Sequence, residues 1–517
     1  MATPPARSYA DALALLDKLQ SNRMIVSAIS DAKQDMNLSA IPEMLDWTRK
    51  AGYQVDEFAK RGLRCIHVAG TKGKGSVCAM VDNILRQYRD RESAVKEMGR
   101  GIGKIGLYTS PHLMTVRERI RIDGAPISET LFARYFFELW DRFTQAAAAA
   151  ASTTTTPHPD PASFETKPGY FRYLTIMALH TFLEEGVESA IIECGIGGEY
   201  DSTNILPPEA VTVSAITKLG IDHVGMLGDT VDKIAWHKAG IMKTGVPAFT
   251  VVQVPEAQTV LEKRAVEKEV ELIVVGRYVG FEDGSIELGA EGDFQRDNAS
   301  LATAVASSHL RSLGITTIPP PFDIATSIPD EFRLALKTIK WPGRCEVIVD
   351  NNIDWLIDGA HTPDSILQTR LWWNSKLQQA REQNRRPTKT VLIFNQQDRD
   401  PGPLLQILLR YEARTEALYP FMNRGMFTFA AFCTNNPFKG KGIGMGELKQ
   451  QNTAAKAYTM LDRNQLTMEY ASVEEAVELV RRVAVDEERV FVLCTGSLHL
   501  VGGLMKVLER EKMRKGE

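Results

Sequence analysis

The chain has 517 residues, of which 44% are hydrophobic and 24% charged, and its formal net charge is −4. This composition is typical of a globular protein with more than one domain, and the slightly acidic balance argues against nucleic acid as a partner. No apolar run is long enough to cross a membrane, so no transmembrane segment is predicted.

The cysteines and the N-terminal residues bear on the compartment. The six cysteines are scattered, and no Cys-x-x-Cys pair occurs. That usage is typical of reduced thiols in an intracellular compartment rather than of a disulfide or zinc framework. Residues 1–10 contain one arginine and no apolar core, so no secretory signal is predicted. The predicted location is the cytoplasm, with a mitochondrial form as the alternative.

The first part of the chain alternates helices with short apolar strands. Helices are predicted over 8–19, 41–51, 77–86, 131–143, 171–185 and 231–239. Strands are predicted over 65–69, 105–109, 190–193 and 211–216. Residues 119–127 predict a hairpin with Asp123 and Gly124 at its turn. Strands that alternate with helices indicate a mostly parallel α/β sheet.

Two changes in composition divide the chain. Residues 146–161 hold an alanine run, a threonine run and three prolines, which predicts a flexible surface insertion without a function of its own. Residues 316–329 include three consecutive prolines. A boundary there gives an N-terminal domain of 1–320 and a C-terminal domain of 321–517. Strands of the second domain are predicted over 346–350, 355–357, 390–394, 427–433 and 490–493.

A glycine-rich segment at 70–76 (GTKGKGS) stands between the predicted strand 65–69 and the predicted helix 77–86. A strand, a glycine-rich turn and a helix in this order present backbone N–H groups and a helix N-terminus to a phosphate. The glycines allow close backbone approach, Lys74 supplies positive charge, and Ser76 supplies a hydroxyl. The segment therefore predicts a site for a nucleoside triphosphate.

This phosphate loop departs from the strict Walker A pattern. Val68 occupies the position of the first glycine, and Gly75 rather than Ser or Thr follows Lys74. The alternative is a turn that only joins a strand to a helix.

Polar residues at the ends of predicted strands are candidates for ligand contact, because ligands of open α/β sheets bind at the strands' carboxyl ends. Ser110 and Glu193 each lie at such an end, and Asp222 and His223 follow a third strand. Magnesium prefers oxygen ligands, so Glu193 and Ser110 suit it better than His223. The alternatives are a helix cap or surface charge for Glu193 and a hydrogen-bonded core group for His223.

Four further residues have both a functional and an ordinary interpretation. Lys238 lies near the end of the predicted helix 231–239, where the helix dipole by itself favours a lysine. In the second domain Asp358 suits a ribose hydroxyl or a cation, and His361 and Arg344 suit phosphate contacts. Turn chemistry is the alternative for these three.

A set of motifs in both predicted domains resembles those of the folylpolyglutamate synthase family, which is related to dihydrofolate synthase and to the bacterial Mur ligases. They are HVAGTKGKGS at 67–76, TSPHL at 109–113, ECGIGG at 193–198, GIDH at 220–223, LGDT at 227–230, KAGI at 238–241, WPGR at 341–344 and DGAH at 358–361. They occur in the family's order, and the family's shorter phosphate loop explains the departure from Walker A.

The resemblance implies a P-loop-type parallel-sheet ATPase domain followed by a smaller Rossmann-like α/β domain. It implies ATP-dependent addition of glutamate to the γ-carboxylate of a (poly)glutamated tetrahydrofolate through an acyl phosphate, which retains folates for one-carbon metabolism. Folate and L-glutamate are the implied substrates. ATP and Mg²⁺ are the implied cofactors, with a monovalent cation such as K⁺ as a further candidate, and a monomer is the implied state.

The resemblance also implies roles for individual residues. For ATP contact it implies Gly73, Lys74, Gly75, Ser76, Asn298, Arg344 and Asp358. For magnesium it implies Ser110, Glu193 and His223. Catalytic roles fall to Lys74, to Lys238, which matches a lysine that is carbamylated in many relatives, and to His361.

One departure and three alternatives remain. Thr362 follows His361, where bacterial relatives usually have Asn, and this indicates the eukaryotic type. The alternatives are dihydrofolate synthase, which uses dihydropteroate as acceptor, a more distant Mur-like ligase and a non-catalytic nucleotide-binding protein. Lys74 and Lys238 argue against the last of these.

Overall fold

The computed structural model describes residues 7–20, 35–89, 101–153, 158–397, 399–409, 426–440, 448–462 and 466–515. The chain forms two compact units. The first unit comprises Met1–His112, Val116–Leu288 and Arg296–Ile339. The second unit comprises Leu113–Thr115, Gly289–Gln295 and Lys340–Glu517.

The first unit contains an eight-stranded sheet within the described residues. Its strands are β1 Arg64–Ala69, β2 Lys104–Tyr108, β3 Ile120–Ile122, β4 Ala125–Pro126, β5 Val187–Glu193, β6 Val211–Ile216, β7 Ala248–Val251 and β8 Leu272–Val275. Their order across the sheet is β4-β3-β2-β5-β1-β6-β7-β8. The strands from β2 to β8 in this order run parallel, and β3 and β4 form the predicted antiparallel hairpin.

Helices cover and connect this sheet. They are α1 Tyr9–Gln20, α2 Asp35–Lys50, α3 Glu57–Lys60, α4 Lys74–Arg86, α5 Glu129–Ser152, α6 Tyr170–Glu184, α7 Val224–Leu227, α8 Val231–Ala239, α9 Pro255–Glu267, α10 Val279–Glu282, α11 Phe294–Ser312 and α12 Asp330–Thr338. Short 3₁₀ turns lie at Val116–Arg119, Phe164–Thr166, Ser202–Ile205 and Pro208–Ala210.

The first unit extends beyond the predicted boundary at residue 320. Helix α12 belongs to this unit, and the side chain of Asn83 on α4 donates a hydrogen bond to the carbonyl of Ala335 on α12. Phe332 of α12 also packs edge-on against Tyr88, with ring centroids 5.8 Å apart. The three prolines therefore lie in a connection inside the unit and do not mark its end.

The alanine-rich part of the predicted insertion belongs to a helix. Helix α5 is capped by Ser128, whose side chain accepts from the N–H of Leu131, and continues through the alanine run to Ser152. Alanine has the highest helix propensity of all residues, so a run of it extends a helix that is already formed. Residues 154–157, which hold most of the threonine run, lie outside the described residues. At the other end of the predicted insertion, the carbonyl of Pro161 accepts a hydrogen bond from the ammonium group of Lys167.

An aromatic cluster on α5 forms part of the core. Phe132, Phe136 and Trp140 are spaced four residues apart, which places them on one face of the helix. Phe136 is fully buried, and its ring centroid lies 4.9 Å from that of Tyr173 on α6 and 5.6 Å from that of Trp140. This spacing fixes which face of α5 packs against α6.

We expect Phe136→Ala to lower the free energy of unfolding of the first unit by about 3–5 kcal/mol, because it leaves a cavity in a close-packed core. Urea denaturation followed by circular dichroism measures the change. The control is Val266→Ala on α9, where the side chain is 79% exposed. A loss with Phe136→Ala as small as that of the control would contradict this assignment of the core.

The second unit contains a six-stranded sheet within the described residues. Its strands are β9 Glu346–Asp350, β10 Ile353–Ile357, β11 Lys389–Phe394, β12 Phe429–Cys433, β13 Leu466–Tyr470 and β14 Val490–Thr495. The order is β13-β12-β11-β14-β10-β9, in which only β9 runs antiparallel to its neighbour. Its helices are α13 Pro363–Glu382, α14 Pro401–Leu409, α15 Lys449–Leu461, α16 Val473–Val483 and α17 Leu498–Lys515.

Both faces of the second sheet are covered. Successive strand residues point to opposite faces, and Trp355 and Leu356 accordingly belong to different hydrophobic clusters. One cluster contains Trp373 of α13, and the other contains Val477 of α16 and Leu504 of α17. The predicted mixed α/β fold with parallel sheets is confirmed. Within the described ranges, no helix combines the length and the apolar character needed to span a bilayer.

Candidate functional site

The phosphate loop connects β1 to α4 and is anchored on the segment that follows β6. The backbone N–H groups of Thr71 and Lys72 both donate to the carbonyl of Lys218, at 3.1 and 3.0 Å. The hydroxyl of Thr71 donates to the carbonyl of Gly220 at 3.1 Å. These bonds hold the loop at the carboxyl edge of the sheet, where ligands of open α/β sheets bind.

The N-terminus of α4 suits an anion. Gly73 is the N-cap residue and has no side chain with which to satisfy the first N–H groups of the helix. The Nζ of Lys74 donates to the carbonyl of Gly70 at 3.1 Å, which keeps the ammonium group over the loop. Ser76 is buried in the first turn. Backbone donors, a cation and a hydroxyl together fit the phosphates of a nucleotide.

Asn298 of α11 packs against this loop. Gly73 has φ +90°, and a Cβ at this position would lie 2.3 Å from the Oδ1 of Asn298. The resemblance implies that Asn298 contacts ATP. Although Asn298 is far from the phosphate loop in the sequence, it lies against that loop in the structure.

We expect Gly73→Ala to weaken ATP binding by at least about 10-fold, because the new methyl group would displace either the loop or Asn298. Isothermal titration with ATP measures the affinity. Gly62→Ala is a matched control, because Gly62 has φ +89° with nothing within 4 Å of the added Cβ. It introduces the same backbone strain without the contact. Equal effects of the two substitutions would contradict the role of close approach at Gly73.

Glu193 and Ser110, two of the predicted magnesium ligands, are joined directly. Glu193 ends β5 and is 3% exposed. Its Oε2 accepts from the backbone N–H of Ser110 at 3.0 Å. The structure therefore favours a buried, oriented carboxylate at position 193 over a surface charge.

His223, the third predicted ligand, is the N-cap residue of α7 and has φ +51°. Its N–H donates to the Oδ1 of Asp222, whose other oxygen pairs with Lys72 at 3.1 Å. Burial lowers the pKa of His223, an effect that Asp222 partly offsets and that Lys74 strengthens. A neutral imidazole has a lone pair for a metal or a donor.

Lys238 lies at the end of α8 and is 3% exposed. Burial, followed by the positive charge of Lys74, lowers the pKa of Lys238 to about 7. A Cβ at Gly198 would lie 2.6 Å from the carbonyl oxygen of His237 and 2.9 Å from that of Lys238. The glycine cluster after Glu193 therefore allows close packing on the helix end that carries Lys238.

The first unit thus gathers most of the predicted site residues along one edge of its sheet. Residues 73–76 belong to the phosphate loop and the start of α4. Glu193 ends β5, and His223 and Lys238 follow β6. Within the described ranges, no three His, Cys, Asp or Glu side chains are grouped closely enough to hold a metal ion. A cation here would therefore take oxygens from its ligand and from water in addition to protein groups.

The predicted residues of the second unit are gathered around Asp358. Its Oδ2 accepts from the N–H of Cys345 at 2.8 Å and from the thiol of Cys345 at 3.4 Å. Its Oδ1 accepts from the N–H of Ala360 at 2.9 Å and from the hydroxyl of Thr369 at 3.0 Å. The Nδ1 of His361 lies 2.9 Å from the carbonyl oxygen of Gly359. Asp358 is therefore surrounded by protein donors.

Thr362, at which the resemblance implies that bacterial relatives usually have Asn, caps α13. Its side chain accepts from the N–H of Ser365, and the hydroxyl of Ser365 accepts from the N–H of Thr362 in return. Asn and Thr are both good N-cap residues, so the exchange preserves the start of this helix. Cys345 and Thr369 had no sequence signal, because only the folded chain brings them to Asp358.

Comparison with known proteins finds close relatives, although no family model matches the chain. Folylpolyglutamate synthases of Saccharomyces cerevisiae strains FostersO and ATCC 204508 / S288c are each 40% identical over 518 aligned residues, which cover 98% of this chain and 87% of the yeast proteins.

Solved structures of similar fold extend the comparison. Mycobacterium tuberculosis folylpolyglutamate synthase, complexed with ADP and AMPPCP, matches with a TM-score of 0.65 at 22% identity and covers 96% of this chain and 99% of its own. Escherichia coli FolC in complex with ADP matches with a TM-score of 0.65 at 20% identity and covers 99% and 100%. The apo form of L. casei FPGS matches with a TM-score of 0.62 at 24% identity and covers 97% and 100%. At these identities the likeness establishes the fold.

Proposed function

Because this chain belongs to the folylpolyglutamate synthase family, we propose that it binds ATP at the phosphate loop and joins L-glutamate to the γ-carboxylate of a folate. The observation that carries the proposal is that a buried lysine, Lys238, lies close enough to the phosphate loop for its pKa to respond to the charge of Lys74. Lys74 lies over the loop, and its charge helps to lower the pKa of Lys238 to about 7. Perturbed, desolvated groups of this kind mark functional sites.

The reaction proceeds in two steps that use no redox chemistry. An oxygen of the folate γ-carboxylate attacks the γ-phosphorus of ATP, which gives an acyl phosphate and releases ADP. The amine of glutamate, after losing a proton, then attacks the acyl carbon, and phosphate leaves with the carboxylate oxygen that it acquired. Lys74 and the N–H groups at the start of α4 hold the phosphates and stabilise the charge that develops on them.

Magnesium is part of the proposal, and the residues present fit it. Bound Mg²⁺ would neutralise phosphate oxygens during transfer. Glu193 would hold it with the hydroxyl of Ser110 and the neutral ring of His223. The N–H of Ser110 already orients the Glu193 carboxylate. Few protein ligands suffice, because Mg²⁺ keeps several waters and binds substrate phosphates. A monovalent cation such as K⁺ belongs to the same proposal without assigned residues.

Lys238 is proposed to be carbamylated. Its neutral amine would attack CO₂, forming an N–C bond and releasing one proton, so that a carbamate anion replaces a buried ammonium. Burial and Lys74 favour this change, because both disfavour the ammonium form. The anion would also offset the positive charges of Lys74 and Lys72 and supply a further oxygen ligand for a metal ion.

Arg344 and His361 are proposed as phosphate contacts. The guanidinium of Arg344 matches phosphate geometry. The carbonyl of Gly359 only accepts, so Nδ1 of His361 carries a hydrogen, and the other ring nitrogen can donate to a phosphate oxygen only in the doubly protonated ring. We further propose a monomer located in the cytoplasm, with a mitochondrial form as the alternative.

A product mass spectrum tests the function. The protein is incubated with ATP, Mg²⁺, glutamate and either tetrahydrofolate or dihydropteroate. A ladder of glutamate additions on tetrahydrofolate is expected. A single addition on dihydropteroate alone would identify a dihydrofolate synthase, and the absence of product with both acceptors would overturn the proposal.

A further inference from the structure

The last turn of helix α8, which carries Lys238, packs against the segment that follows the ECGIGG motif. The N–H of Glu199 donates to the carbonyl of His237 at 2.7 Å. A Cβ at Gly240 would lie 2.3 Å from the Cα of Glu199, so the two backbones are in direct contact. Since Lys238 lies between His237 and Gly240, its place depends on how the backbone of Glu199 is held.

Asn204 joins these two backbones through one amide group. Its Nδ2 donates to the carbonyl of Glu199 at 3.0 Å and to the carbonyl of Gly240 at 3.2 Å. Gly240 is the C-cap residue of α8, and the last carbonyls of a helix have no partner within the helix. Lys268 also donates to the carbonyl of Gly240, at 3.1 Å. Asn204 therefore fastens the end of α8 to the backbone of the segment after Glu193.

A neighbouring lysine fixes the orientation of the Asn204 amide. The Nζ of Lys243 donates to the Oδ1 of Asn204 at 2.9 Å and to its backbone carbonyl at 3.0 Å. An ammonium group has donors and no acceptor, so the amide oxygen faces Lys243 and the two N–H groups face the carbonyls. The position therefore needs an acceptor and two donors on one short side chain, which asparagine supplies.

The proposed carbamylation needs the amine of Lys238 to stay in its buried place. Lys238 is 3% exposed. If the last turn of α8 moved outward, the amine would gain water, which stabilises the ammonium form and competes with attack on CO₂. Helix ends fray more readily than helix centres, so a side chain that fixes this end also keeps the amine in place.

We infer that Asn204 is a positioning residue, which holds the last turn of α8 so that the amine of Lys238 stays in place for carbamylation. The inference rests on the proposed carbamylation of Lys238 and goes beyond it by naming a group on which it depends. Asn204 acts through Lys238 and takes no part in the bond that forms.

Bicarbonate dependence tests this role. The natural protein and Asn204→Ala are freed of CO₂ and titrated with ¹³C-labelled bicarbonate, and both glutamate addition and the ¹³C NMR signal of the carbamate are followed. Alanine removes the amide without adding bulk. We expect the half-saturating bicarbonate concentration to rise about 10-fold in both readouts, while activity at saturating bicarbonate returns to within about twofold of the natural protein's.

Asn83→Ala is the matched control in the same unit. The Nδ2 of Asn83 donates to the carbonyl of Ala335, and its Oδ1 accepts from Arg86. The substitution thus removes a similar pattern of bonds from another part of the unit. It should lower the free energy of unfolding by an amount comparable to Asn204→Ala, but leave the half-saturating bicarbonate concentration unchanged within about twofold.

Lys243→Met keeps the test decisive if Asn204→Ala fails to fold. It leaves both N–H groups of Asn204 but frees the amide to turn. We therefore expect the half-saturating bicarbonate concentration to rise in the same direction by a smaller factor, about 3-fold.

The outcomes are distinct. Half-saturating concentrations in Asn204→Ala and Lys243→Met equal to that of the natural protein would overturn the inference, and so would an equal rise in Asn83→Ala and Asn204→Ala. A loss of activity in Asn204→Ala that saturating bicarbonate does not restore would also overturn it, because a general loss of structure explains that result. A natural protein with no carbamate signal and no response to bicarbonate would instead overturn the proposed carbamylation, and one that forms no product would overturn the proposed function.

Discussion

Replacing Lys74 by alanine is expected to lower kcat for glutamate addition by about 10²–10³-fold, because the phosphate loop loses the cation that stabilises charge on the transferred phosphoryl group. The Nζ of Lys74 lies 3.1 Å from the carbonyl oxygen of Gly70, so the ammonium group is already placed over the loop. Steady-state assays of ADP release with folate and glutamate measure the effect.

The matched control for Lys74→Ala is Lys263→Ala on α9, which removes an exposed lysine of the same unit. It should leave kcat unchanged within about twofold, as surface substitutions usually do. Activity of Lys74→Ala close to that of the control would contradict the assignment of this loop to phosphate transfer.

Replacing Lys238 by methionine is expected to abolish activity and at the same time to stabilise the protein at acid pH. The pKa of Lys238 is lowered from 10.5 to about 7 in the folded chain. The unfolded chain therefore binds more protons between these values, so the lysine destabilises the fold fully below pH 7 and progressively less as pH rises toward 10.5. Methionine removes this penalty, which is on the order of 5 kcal/mol at pH 6.

The natural protein and Lys238→Met are denatured at pH 6 and at pH 10 in buffer free of CO₂. The difference between their free energies of unfolding should nearly vanish at pH 10. Activity of the natural protein should fall in the same buffer and return with bicarbonate, and intact mass should show the addition of one CO₂. A variant that keeps activity, or that is less stable at pH 6, would contradict the role given to Lys238.

The sequence predicted the elements whose patterns are local and apolar. The strand that ends at Ala69 and the strand that ends at Glu193 lie in the centre of the sheet, where burial on both faces requires continuous apolar runs. The phosphate loop was also predicted from a local pattern, the glycines at and around Gly73. Glycine is required at Gly73 because only glycine tolerates φ +90° at so close a contact.

Strands β7, β8 and β13 were not predicted. Strand β13 (LTMEY) is mostly exposed and has no continuous apolar run. Strands β7 (AFTV) and β8 (LIVV) have only four residues each, so their signals are short. Helix α11 was recognised only as a segment that includes Asn298. The extension of α5 was missed because its alanine-rich composition also suits a flexible segment, and helix propensity decided the outcome.

Residue identities in the site were easier to predict than residue roles. The motif around Asp358 identified the residue, but not its contacts with Cys345 and Thr369, which no spacing rule relates to it. Likewise, a lysine near a helix end is ordinary in sequence, and only burial beside Lys74 distinguishes Lys238.

The most direct test of the proposed chemistry follows one oxygen atom. Folate labelled with ¹⁸O in its γ-carboxylate is converted by the natural protein with ATP and glutamate, and the released phosphate is analysed by mass spectrometry. Because the carboxylate oxygen becomes the bridge of the acyl phosphate, one labelled oxygen is expected in the phosphate released with the first glutamate added. Unlabelled phosphate from this first addition, or label released in AMP in place of phosphate, would contradict the account.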